Sequence, residues 1–179
     1  MNKITSSILV LSLIIPAMVY AQDDKANRPS PPAQATGVID GTPVTIHYGQ
    51  PSVKDRTIFG ELVPYGEVWR TGANEATTFE ADGDVVVEGQ ALPAGQYALF
   101  TIPRENEDWT LIFNNVANQW GAFKYDESQD ALRVPISPEA AATTTEKLTF
   151  DVAESGTVTL RWADTQLTFS VASAGQASN

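Results

Sequence analysis

Between Leu148 and Val171 the apolar residues fall on every second position, and no other feature constrains the fold as strongly. Leu148, Phe150 and Val152 share one face of an extended chain. Val158, Leu160 and Trp162 do the same, and so do Leu167, Phe169 and Val171. A helix buries positions three and four apart; only a strand puts i and i+2 on one side. Glu154-Ser155-Gly156 and Ala163-Asp164-Thr165-Gln166 read as turns between these runs. The expectation is an antiparallel meander with one face buried and the other wet.

The same pattern recurs upstream. Asp40-Gly41 separates Gly37–Asp40 from Pro43–Tyr48, a hairpin signal. Short strands are expected at 67–71, 77–80 and 85–88, and at Trp109–Phe113. Gln96–Ile102 is apolar on both faces and should be a central strand. Residues 49–66 form a long loop, and loops of that length inside a domain are usually functional or packed by their own side chains. Pro138–Thr145 is the best helical candidate. It has no apolar stripe and would give a turn or two at most. Roughly nine strands with little helix predict an all-β chain, an antiparallel β-sandwich of jelly-roll-like kind or a barrel.

The ends read differently. Lys3, the apolar run from Ile8 to Val19 and the Val19-Tyr20-Ala21 triplet form a secretory leader over residues 1–21, with cleavage before Gln22. The run is short for a membrane span and Pro16 interrupts it, so no integral membrane segment is expected after cleavage. Residues 22–36 carry Pro29, Pro31 and Pro32 and read as an arm, a tether or a segment hugging a sheet edge. A single sandwich domain is expected over 37–172 and a disordered tail over 173–179. The destination is the periplasm or the medium. The chain has no Cys, so it is not a lipoprotein and has no disulfide or thiolate chemistry. With one His it has no multi-His metal centre, and neither metal nor cofactor is expected. A net charge of −11 argues against nucleic acid, whose phosphates demand a basic surface.

Three stretches are familiar together: YGQPSVKDRTIFGELVPYGEVWRTGANEATTF at 48–79, LPAGQYALFTIP at 92–103 and NQWGAFKYDESQDALRV at 118–134. With the Arg28-Pro29-Ser30-Pro31 arm they resemble the exported bacterial family numbered 2911 among the domains of unknown function. The resemblance implies a fold and an export habit. It brings no activity and no catalytic residues.

Candidate site residues therefore come from the chemistry alone. Trp69–Glu75 packs an aromatic, a guanidinium, an amide and a carboxylate around Gly72. One reading makes Arg70, Asn74 and Glu75 a polar pocket; the other makes Arg70–Glu75 an ion pair closing the sandwich end. Trp120, with Asn118, Gln119, Lys124 and Tyr125, could form a carbohydrate platform, or Trp120 could be core. His47 points away from the apolar face of its strand and could act as a base only with a carboxylate behind it.

Three functions stay open. The first is a cofactor-free binding module for a small polar ligand, glycan or peptide. The second is a hydrolase using Glu75 with His47 or a second carboxylate. The third is a structural envelope-interaction protein. The sequence does not decide between binding and catalysis.

Overall fold

The computed structural model describes residues 25–176. The predicted leader and its cleavage point lie outside them, as does the end of the predicted tail. Ten strands follow in chain order: β1 (Pro32–Ile39), β2 (Thr42–Gly49), β3 (Thr77–Ala81), β4 (Val85–Val87), β5 (Gln90–Leu92), β6 (Gly95–Ile102), β7 (Trp109–Asn114), β8 (Asp130–Ile136), β9 (Pro138–Val152) and β10 (Thr157–Ser173). They build an antiparallel sandwich. One sheet has six strands in the order β1-β2-β3-β6-β7-β8, and the other has four in the order β5-β4-β10-β9. Helical structure among the described residues is confined to three short 3-10 turns.

Alternation explains the core. Val44, Ile46 and Tyr48 of β2, Phe79 of β3, Tyr97 and Leu99 of β6 and Leu111 and Phe113 of β7 point inward. They meet Phe150, Leu160, Trp162, Phe169 and Val171 of the facing sheet. The Asp40-Gly41 hairpin forms as its sequence demands, with φ of 48° and 83° at its two central residues. As its two-faced pattern predicts, β6 is interior to its sheet. Its other face, with Ala98, Phe100 and Ile102, makes a second, smaller core beneath Val68, Ala122 and Tyr125. The segment after β7 thus folds over the outer face of the six-stranded sheet.

Four local expectations are corrected. The last third of the Pro-rich arm is strand: Pro32 onward is the outermost strand of its sheet, where a proline without N–H is tolerated. Pro138–Thr145 is not helix but the start of β9, as its threonine run favours. Residues 163–166 do not turn. The apolar phase shifts there from even to odd positions, and β10 makes that shift with an irregular register and a left-handed Ala163, φ 54°. Residues 67–71 form no strand. Trp69 makes a single two-bond bridge to Thr101.

The extra β9 residues at this irregularity anchor the long loop. Val53 N–H donates to the Glu146 carbonyl and Leu148 N–H to the Pro51 carbonyl. Phe59 then packs edge-on against Trp69, Trp109 and Trp162, closing one end of the sandwich.

Candidate functional site

The outer face of the six-stranded sheet carries a cleft of about 530 Å³, within the range of small-molecule sites. Its floor is made of outward-pointing strand residues: His47 on β2, Thr78 opposite it on β3, and Gln96 on β6. These positions face out because their neighbours Ile46, Phe79 and Tyr97 face in. One wall is the loop after β7, with Asn118, Gln119 and Trp120. The opposite wall is the arm, with Lys25 and Arg28, and Asn74 and Glu75 close the end.

Backbone ties hold these walls. Glu75 bridges Trp120, Ala76 N–H donates to the Gln119 carbonyl, and Gly121 N–H donates to the Asn74 carbonyl. Asn74 is left-handed at φ 65°, which asparagine tolerates. Its side-chain amide donates to the Ser30 carbonyl at 2.8 Å and fastens the arm. Gly49 lets the loop approach: a Cβ there would lie 2.1 Å from the Ala73 carbonyl oxygen.

Glu75 is the one carboxylate among the described residues lining the cleft. Arg28 donates to both its oxygens at 2.9 and 3.1 Å, and Lys25 lies 3.1 Å away. Burial pushes its pKa up, but backbone and Lys25 and Arg28 hydrogen bonds outweigh that and hold it below the ordinary glutamate value. The Arg28 guanidinium also sits 5.8 Å from the Trp120 ring centre.

The predicted site residues divide. His47, Asn74, Glu75 and Trp120 are brought together in the cleft. Trp120 is 55% exposed, so it is not a core residue. Arg70 is not among the lining residues and does not pair with Glu75; it borders a separate cavity. Tyr125 packs edge-on against Phe100, and its hydroxyl donates to Asp130 at 2.6 Å. Burial, then that hydrogen bond, raises its pKa. It supports the loop from below the cleft. Lys124 is exposed on that loop and does not line the cleft. Lys25, Arg28, Thr78 and Gln96 are lining residues that the sequence did not single out. Thr78 and Gln96 become visible only once strand register is known, and Arg28 reaches Glu75 across 47 positions of chain.

The WRTGANEAT loop thus supplies the cleft's closed end, and it lies inside the stretch that decides the relationship. The family model described as "Protein of unknown function (DUF2911)" matches residues 30–171. The chain belongs to this family. The matched span takes in β1 to β9 whole and β10 as far as Val171. No curated protein and no solved structure matches the chain. Membership in the DUF2911 family places the cleft within the shared domain, while Lys25 and Arg28 lie ahead of the matched residues.

Among the described residues no cluster of three or more His, Asp or Glu could hold a metal ion. No helix among them is long and apolar enough to cross a membrane.

Proposed function

We propose that the protein is an exported binding module whose outer-face cleft takes a small polar ligand, with a neutral saccharide as the best-matched class. The observation carrying this reading is the exposed Trp120 ring beside amide, hydroxyl and imidazole groups. A flat apolar face in one cleft with the Asn118 and Gln119 amides, the Thr78 hydroxyl and the His47 imidazole suits a sugar ring, whose faces are apolar and whose rim is hydroxyl, while the charged Lys25, Arg28 and Glu75 are engaged with one another. Glu75 is tied to two cations, so it organises the arm and is not a free base. His47 makes no side-chain hydrogen bond among the described residues and so lacks the orienting carboxylate that a catalytic base needs. These features favour binding over hydrolysis. Export is supported by the leader-like residues 1–21.

The test is a thermal-shift panel of neutral mono- to tetrasaccharides on wild type and Trp120→Ala. At least one saccharide should raise the melting temperature in proportion to its concentration. A hundredfold excess over Kd stabilises by about 2.7 kcal/mol. The response should vanish in Trp120→Ala. A flat panel with wild type, or shifts only with short peptides, contradicts the saccharide reading. Export is checked by intact mass of protein recovered outside the cytoplasm, which should begin at Gln22.

A further inference from the structure

We infer that residues 25–28 are a detachable strap on the outer-face cleft, latched at Glu75, and that a ligand stacking on Trp120 displaces it. This concerns the regulation of the cleft and rests on reading it as a ligand site, although the latch itself can be tested without a ligand. The strap is the short 3-10 turn Lys25–Asn27 followed by Arg28, and it runs through Pro29, Ser30 and Pro31 into β1. Lys25 and Arg28 both line the cleft.

The two halves of the arm are held by different forces. From Pro32 to Ile39, β1 pairs with β2 residue for residue, and Ala35 and Ile39 are buried in the core. Ahead of Pro32, no residue from 25 to 31 belongs to either buried apolar cluster. Two carbonyls tie down the near end: Pro31 accepts from the Gln50 N–H at 2.9 Å and Ser30 from the Asn74 amide at 2.8 Å. Beyond Ser30 the anchor is the Glu75 carboxylate, with Arg28 and Lys25 on its oxygens. The Lys25 and Glu75 side chains are 55% and 46% exposed, so water and salt reach this anchor. A segment with little apolar burial and solvent-exposed polar contacts opens locally at small cost, while the strand behind it stays in place.

What the latch holds in place is Arg28 over Trp120. The guanidinium carbon lies 5.8 Å from the ring centre, within reach of a cation–π contact. The same guanidinium donates to both Glu75 oxygens, so one carboxylate keeps the cation on the ring. Ring surface taken by Arg28 is surface that the apolar face of a ligand would use. Cation and ligand therefore compete, and the apparent affinity of the cleft is lowered by the fraction of molecules in which the strap is closed. Glu75 acts through Arg28 as a positioning residue: it sets how often the ring is free. A fixed wall would give the opposite result, because loosening a wall of a binding site weakens binding.

The latch is tested first without ligand, by following the Trp120 indole N–H signal by nuclear magnetic resonance in wild type, Glu75→Gln and Arg28→Ala. Sodium chloride is raised from about 0.1 M to about 1 M, which shortens the Debye length from about 10 Å to about 3 Å. The buried Trp109 indole, bonded to the Arg104 carbonyl, is the internal reference. In wild type, salt should move the Trp120 signal toward its position in Arg28→Ala. In Glu75→Gln the signal should already lie near that position and respond little. A wild-type signal that salt leaves still, or an equal salt response in all three proteins, overturns the strap. The best saccharide from the panel is then titrated into wild type and Glu75→Gln. Apparent affinity should rise in Glu75→Gln, by at most about fivefold, the limit set by an exposed ion pair. Weaker binding in Glu75→Gln overturns the strap and leaves the arm as a fixed wall. A flat panel removes the saccharide reading alone, and the salt response then decides the latch.

Discussion

Arg70 and Glu75 stand at the two ends of one short loop, yet the fold sends them to different cavities with opposite electrostatic surroundings. Glu75 turns toward the arm and collects two cations, Lys25 and Arg28. Arg70 borders a separate cavity, with Nη1 beside Gly121, and makes no ion pair among the described residues. The divider is the left-handed backbone at Thr71 and Asn74, φ 52° and 65°, pressed against Gly49. A β-branched residue at positive φ is strained, and such strain gathers where a fold must aim side chains. The difference teaches that adjacent charges in sequence need not be partners. Here the loop keeps apart a pair that would otherwise cancel.

The contrast can be broken outright at Gly49. Gly49→Ala sets a methyl group against the Ala73 carbonyl oxygen, and backbone cannot yield as a side chain can. We expect a loss of about 2–3 kcal/mol, read from the urea midpoint, together with loss of the saccharide response of the cleft. Wild-type stability would show that the loop is not seated as described.

Glu75→Gln tests the paired end. Its side chain is 46% exposed, so solvent screens the pair and the cost at neutral pH is at most about 1 kcal/mol. The folded-state pKa of Glu75 is depressed, so its contribution is present above about pH 4.3, the unfolded value, and is lost as pH falls through the folded value. The difference between variant and wild type should therefore shrink in acid. A difference that grows below pH 4 contradicts the pairing.

Arg70→Met tests the unpaired end and should have the opposite sign. Removing a half-buried cation without an ion-pair partner raises stability by about 0.5–1 kcal/mol. Destabilisation would mean that the guanidinium is satisfied after all. Trp120→Ala has the smallest effect on stability, within about 0.5 kcal/mol, because so much of the ring already faces solvent.

Much of the fold was legible. The alternation of Val158, Leu160 and Trp162 fixes which face is buried, whereas the polar residues 163–166, which suggest a turn, are a strand distortion. Leu132, Val134 and Ile136 of β8 alternate as well and carry the same strand signal. The cleft was legible in part. Asn74, Glu75 and Trp120 stood out as dense polar and aromatic clusters, but the chemistry of Glu75 depends on Arg28, which only the folded chain brings to it. Local sequence could not show that Arg70 and Glu75 part company, because the separation is made by backbone angles and by the close approach at Gly49.

The most direct measurement uses two of the four tryptophans as reporters, Trp120 for the cleft and Trp162 for the core. Indole N–H signals are followed while the protein is titrated with the best saccharide from the panel. The account predicts that the saccharide moves the Trp120 signal saturably and leaves Trp162 still. A Trp120 signal that stays still, or both signals moving together, contradicts the claim that the cleft binds through Trp120.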